Sequence, residues 1–346
     1  MRTNLRTIAR EAGVHVATAS RALRGLGCVN PQTRERVCAV ARRLGYVRDP
    51  LLASALTFAR RREKPVYRET MAFLAALPPS QYASLPWLAQ IHAGAAERAA
   101  ELGYGLECVR APTQAREQRQ LGRRMHSRGI RGCIVCPMSP IAEWESFSLD
   151  MDWSQFSGIE IGHALTAPKL PRIARNFADD ISVMLEELHL RGYRRIGIAV
   201  SRSDEESRRW AMLAACLMFE EITPDVRMYP LFRDETDYDV DALERWISRR
   251  RPDVLLINGT GVLDWLRERD WEIPRRVGVC RIDCVEGCHE TGLRTSYVEM
   301  GRTAVNQLAS ALERGGAHRP EDPSWRSVLG IPSAWHEGRT LRPRPA

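Results

Sequence analysis

Residues 5–23 constrain this chain more than any other segment, because they read as two short helices joined by a tight turn at Gly13. Leu5, Ile8, Ala9 and Ala12 recur at helical spacing and give the first helix one apolar face. Gly13 stands where the chain must leave that helix, a place that often needs a positive φ. The second helix, Val16 to Arg24, carries Val16, Ala17, Thr18, Ser20 and Arg21 on or near its outward face. Small groups and hydroxyls let a helix approach nucleic acid closely, and one guanidinium can bond guanine O6 and N7 together. An ordinary helical hairpin shows the same spacing, so the pair alone does not decide.

A third helix starts at Pro31 and runs through Thr33, Arg34, Val37, Val40, Ala41 and Leu44 to Gly45. Tyr46 to Pro50 breaks the chain, a short apolar helix spans Leu51 to Phe58, and Arg60 to Lys64 is a basic run. Charge follows the same division. Of the chain's net +8, residues 1–64 carry +10, with 14 Arg or Lys against 4 Asp or Glu, and the remainder is −2. A basic head on a nearly neutral body suits one part that meets phosphate and one that does not.

The body alternates short apolar runs with amphipathic helices. Strands are read at residues 71–77, 106–109, 133–136, 158–161, 195–200, 228–232, 254–257 and 277–280. Helices are read at 88–102, 115–128, 179–191, 205–221, 240–250 and 262–268. That rhythm implies parallel sheets covered on both faces, and the strands are too many for one sheet, so two subdomains are expected. The first twenty residues are charged and no stretch approaches a membrane span, so no signal peptide, no membrane contact and a cytoplasmic location are expected. Nine scattered cysteines fit free thiols. Cys133 and Cys136 lie three apart on a strand and face opposite sides, and Cys280, Cys284, Cys288 and His289 do not converge if that stretch is extended. No metal and no cofactor is expected. Nor is an enzyme, since no phosphate-cradling glycine loop and no Gly-x-Ser-x-Gly elbow is present, while the pairs Asp179-Asp180 and Glu186-Glu187 point apart on a helix.

Residues 3–58 resemble the DNA-binding headpiece of the LacI/GalR family of bacterial transcription regulators, of a divergent branch. The resemblance rests on Thr7-Ile8-Ala9, Ala12-Gly13-Val14, Val16 to Arg21, Thr33 to Val37 and Leu44-Gly45-Tyr46, in order and spacing. It extends more weakly to Trp335 to Leu341. It implies a helix-turn-helix domain at 1–49, a hinge helix and linker at 50–65, and a periplasmic-binding-protein-like core at 66–346. The core would have two lobes, at about 70–162 with 293–320 and 163–292 with 321–346, so that the chain crosses between them near Gly162, Leu293 and Pro320.

By that resemblance, Val16, Ala17 and Arg21 read base edges in double-stranded DNA, and Thr18, Ser20, Arg24, Thr33 and Arg34 contact phosphate. The hinge presses an apolar wedge into the minor groove. The expected wedge position holds Ala55, and Leu56, one residue later, is taken for it. His15 stands where Ser is usual at the start of the second helix, and Ala19 and Ala22 replace larger residues, which predicts looser packing. The cleft places carried over from related regulators hold Tyr82, Trp87, Trp144, Arg202, Arg208, Asn258 and Asp283, a set that suits a sugar or polyol effector. Trp87 and Trp144 can equally be packing residues, and Arg208 a solvated one. Arg175-Asn176-Phe177 lacks an aspartate that many members carry there. The expected whole is a repressor, a homodimer on a pseudo-palindromic operator, tuned by a small molecule between the lobes. The alternative is a small-ligand-binding protein with a weak or vestigial headpiece.

Overall fold

The computed structural model describes residues 5–23, 29–44, 69–136, 147–207, 210–233, 240–258, 261–285, 287–314 and 327–345. Arg24, Leu51 to Phe58 with the expected wedge Leu56, Trp144 and Arg208 lie outside the described residues.

The N-terminal unit is three helices: α1 (Leu5–Glu11), α2 (Val16–Leu23) and α3 (Pro31–Arg43). Gly13 sits at φ 63°, the left-handed turn that separates α1 from α2. The Asn30 side chain accepts from the Gln32 N–H and Pro31 follows at the first helical position, which starts α3. Ile8, Ala9, Ala12, Ala19, Ala22, Val37, Val40 and Ala41 form its core. Ala19 and Ala22 are buried in it, at 0 % and 2 % exposure. Arg36 Nε donates to the Ala12 carbonyl at 3.0 Å, tying α3 to the end of α1.

The core holds two six-stranded sheets. The first lobe takes β1 (Thr70–Ala75), α4 (Pro86–Leu102), β2 (Gly105–Arg110), α5 (Ala115–Ser127), β3 (Gly132–Val135), the ribbon strands β4 (Phe147–Ser148) and β6 (Leu165–Ala167), β5 (Ser157–Ile161) and β7 (Arg172–Arg175). The second takes α6 (Phe177–Leu190), β8 (Arg195–Ser201), α7 (Arg202–Ser207), α8 (Ala211–Ile222), β9 (Arg227–Arg233), α9 (Val240–Arg250), β10 (Val254–Ile257), α10 (Gly261–Glu268), β11 (Gly278–Arg281) and β12 (Thr291–Arg294). The chain then returns as α11 (Tyr297–Glu313) and β13 (Val328–Ile331) and ends on β14 (Ala334–His336). The sheet orders are β13-β7-β5-β3-β1-β2 and β14-β12-β11-β10-β8-β9. All pairings within the two sheets are parallel except β12 with β14.

Alternation along β1 shows why these strands read as unbroken apolar runs. Met71, Phe73 and Ala75 face α4 and α11, while Ala72 and Leu74 face α5 and the segment around Trp153 and Phe156. In the second lobe α6 and α8 cover one face and α9 and α10 the other.

Three sequence expectations are corrected. The first crossing lies after Arg175, not near Gly162, because β7 pairs with β5 and β13 in the first sheet. The third lies between Ile331 and Ala334, not near Pro320, because β13 belongs to the first sheet and β14 to the second. The helix read at 205–221 is two, parted at Trp210 (φ 60°), where buried Glu205 accepts from the Leu213 N–H at 3.0 Å. The crossing near Leu293 falls between β12 and α11. Among the described residues no helix is long and apolar enough to cross a membrane.

Candidate functional site

Two places bring chemistry together. The first is the outer face of α2. Arg21 is exposed, and Thr18, Thr33 and Arg34 are half-buried at the surface of the helical unit. Val16 is half-buried against the helical core, so only part of its side chain faces outward. Ala17 and Ser20 belong to α2 by backbone. The Thr18 and Ala19 N–H groups donate to the His15 carbonyl, so the first turn of α2 is held by backbone at that position.

The second place is where the chain passes between lobes, at the carboxyl ends of the parallel strands. Each of the three crossings contributes. The Arg175 side chain, 6 % exposed, donates through Nε to Asp180 Oδ2 at 3.0 Å and through Nη2 to the Ile282 carbonyl at 3.1 Å. Its guanidinium lies 4.6 Å from the Phe177 ring centroid. Asp180 accepts in addition from the Ser333 N–H at 2.8 Å and from the Ser333 hydroxyl at 2.7 Å. Asp283 accepts from the Thr295 hydroxyl at 2.9 Å through one oxygen and from the Tyr297 hydroxyl through the other. Burial, and then the Asp283 charge, push the Tyr297 hydroxyl above its ordinary pKa and keep it a donor. One polar cluster therefore joins residues 175–180, 282–297 and 333.

The expected effector residues fare unequally. Asp283 stands at the strand end foreseen for it, but both its oxygens are engaged by the second crossing. Tyr82 is 5 % exposed and packs inside the first lobe against Phe73 and His92, so it is a core residue and not a cleft residue. Burial beside Cys108 and Cys136 raises its pKa. Trp87 is half-buried against the same core at the start of α4. Arg202 is exposed at the start of α7, its guanidinium 5.8 Å from the Trp210 ring centroid. Asn258 is half-buried directly after β10. Sequence reasoning missed Arg175, Asp180, Thr295, Tyr297 and Ser333. The signals were the segment Arg175-Asn176-Phe177, which lacks an aspartate expected there, and the pair Asp179-Asp180, of which Asp180 turns inward and Asp179 outward.

Cys284 and Cys288 also meet, contrary to the extended reading. The Cys288 N–H donates to the Val285 carbonyl and Gly287 adopts φ 78°, so the segment turns back on itself. Among the described residues no group of three or more His, Cys, Asp or Glu is placed to hold a metal ion.

Residues 4–49 match the family described as bacterial regulatory proteins, lacI family. Residues 185–330 match the periplasmic-binding-protein-like domain. No curated protein matches the chain. Among solved structures, a complex of the transcriptional regulator CelR with cellobiose is 19% identical, with 98% of this chain and 100% of that one aligned at a TM-score of 0.56. The lac repressor dimer bound to operator and the anti-inducer ONPF is 16% identical over 99% and 100% at 0.57. A LacI-family regulator from Silicibacter pomeroyi is 18% identical over 99% and 100% at 0.55. At such identities the likeness shows the fold: a helical headpiece followed by a two-lobed α/β core with parallel sheets. The chain thus carries a DNA-binding domain of the lacI family of bacterial regulatory proteins at residues 4–49, followed by a periplasmic-binding-protein-like domain.

Proposed function

We propose that the chain is a repressor that binds a pseudo-palindromic operator as a homodimer and releases or tightens its hold when a small polar molecule, of the sugar class, enters between the lobes. The observation that carries this reading is the cluster joining the three crossings, because a ligand placed there acts on both lobes at once. Val16, Ala17 and Arg21 read the major groove, and Thr18, Ser20, Arg24, Thr33 and Arg34 hold phosphates. Leu56 serves as the minor-groove wedge. Trp87, Trp144, Arg202, Arg208, Asn258 and Asp283 remain the effector set. An effector hydroxyl that reaches Asp283 replaces the Thr295 or Tyr297 hydroxyl, which couples binding to the second crossing. The lac repressor complex with operator and the CelR complex with cellobiose support the classes of partner named here.

Selection of bound fragments from the source genome with purified protein, with and without candidate sugars, tests it. A single inverted-repeat motif whose recovery responds to one sugar is the expected result. Salt-labile binding without a motif sinks the operator reading and favours a ligand-binding protein with a vestigial headpiece.

A further inference from the structure

The thiols of Cys284 and Cys288 converge on one carbonyl. Cys284 Sγ lies 3.7 Å and Cys288 Sγ 3.8 Å from the oxygen of Glu290, which accepts from both. Cys284 is 2 % exposed, and Cys288 is half-buried in a turn whose neighbours Val285, Gly287 and His289 are exposed. The turn closed by the Cys288 N–H on Val285, with Gly287 at φ 78°, brings residues four apart in sequence to face each other. A disulfide needs such a reversal, since its Cα atoms must come within about 7 Å.

We propose that Cys284 and Cys288 form a redox-modification site, an intraloop disulfide that closes under a hydroperoxide and reopens under a dithiol. The Cys288 sulfur, nearer solvent, attacks the peroxide O–O bond. It becomes a sulfenic acid, and the leaving oxygen takes up the thiol proton as alcohol or water. The Cys284 sulfur then attacks the Cys288 sulfur, the S–O bond breaks, and the hydroxyl leaves as water with the Cys284 proton. Two thiols are oxidised by two electrons and one peroxide is reduced. Burial and the neighbouring thiol hold Cys284 protonated in the resting loop, so oxidation starts at Cys288.

The loop is wired to the second crossing at both ends. Asp283 precedes Cys284 and holds the Thr295 and Tyr297 hydroxyls. The Cys288 carbonyl accepts from His336 Nε2 at 3.1 Å, whose other ring nitrogen accepts from Arg294 at 3.0 Å. Closure removes both S–H bonds to Glu290 and draws the turn inward, which biases the same crossing the effector acts on. This coupling rests on the operator reading; the disulfide does not.

The experiment uses the full chain. Trypsin cleavage after Arg281 and Arg294 releases Ile282–Arg294, which holds Cys284 and Cys288 and no other cysteine. Reduced protein is exposed to hydrogen peroxide, alkylated and digested. The expected peptide has lost two hydrogens, carries no alkyl group, and regains both sites after dithiothreitol. Two alkylated cysteines after peroxide, or either one bonded to a cysteine elsewhere, overturn the site. The C288S variant, changed at the half-buried position, is expected to leave Cys284 alkylatable. In parallel, the selected operator fragment is titrated with reduced and oxidised protein. Wild type is expected to change affinity by about 5- to 150-fold and C288S not at all. Equal affinities for oxidised and reduced wild type overturn the coupling, whereas failure of the reduced protein to select any operator overturns the operator reading and leaves the peptide result standing.

Discussion

At the scale of single residues, charge decides most of what this chain can do. Arg21 is the one exposed guanidinium on the described part of α2. Replacing it with alanine is expected to cost about 1–3 kcal/mol of operator binding and to relax base preference at one position, read by titration on point-substituted operators. Arg34→Ala should weaken all sequences alike and reduce the salt slope by about one unit. Within the core, Arg175 and Asp180 have side chains only 6% and 2% exposed. Arg175→Met strands a buried carboxylate and is expected to destabilise the core by about 3–5 kcal/mol in urea unfolding. An unchanged midpoint would show that Ser333 alone satisfies Asp180. His92 behaves differently. Burial lowers its pKa below the ordinary 6.5, so the folded state holds it neutral while the unfolded chain takes up a proton. Stability is then full above pH 6.5 and declines as the pH falls through 6.5 toward the folded value, and His92→Gln should flatten that decline in thermal melts. The cluster around Arg175 also marks where reading the sequence stopped. Arg175, in a segment that lacks an expected aspartate, shows in the sequence, but its partners lie five and more than a hundred residues away, and only the crossings bring them together.

At the scale of elements, legibility followed periodicity. The three N-terminal helices and most parallel strands were readable, because their apolar spacing and punctuating Gly, Pro and Asn report local physics. Short strands such as β7, β12, β13 and β14 were not. β7, β12 and β14 mix polar with apolar residues, unlike the equally short but unbroken apolar β10, and β13 is interrupted by Gly330, so tertiary pairing makes them strands. The long helix α11 went unread although Met300, Ala304, Val305, Leu308 and Ala309 repeat at helical spacing. Its contact with α4 depends on glycine. A Cβ added at Gly301 would come within 2.0 Å of the Ile91 carbonyl, and one at Gly94 within 2.1 Å of the Val298 carbonyl. Both obstacles are backbone, so the helices must separate. Gly301→Ala is expected to lower the core's stability by at least about 1–3 kcal/mol, seen as a lower melting temperature. The α3 cap has a smaller stake: Asn30→Ala should cost about 1 kcal/mol of headpiece stability by circular dichroism.

At the scale of the molecule, +10 sits on residues 1–64 and −2 on the rest. Counterion release makes a basic head the seat of salt-sensitive binding, with a log–log slope near −0.9 for each phosphate neutralised. A core fragment beginning at residue 69 is therefore expected to retain no DNA affinity in gel shifts even at low salt, while the intact chain loses affinity steeply as salt is raised. Retention by the core alone would place the interface elsewhere.

The final twenty residues supply an edge strand to each sheet: β13 to the first, β14 to the second. A growing polypeptide emerges from its N-terminal side, so α1 to α3 are made long before β13 and β14, and neither sheet has all its strands until residues 328–336 have emerged. For most of its synthesis the chain carries a finished DNA-binding head on two open sheets, with β7 and β12 each waiting for a neighbour. Such edges invite strand addition by other chains. The order in which this chain is made thus leaves it dependent on β13 and β14 for protection from aggregation, and products shortened before residue 328 are expected to be insoluble long before they lose the ability to form the head.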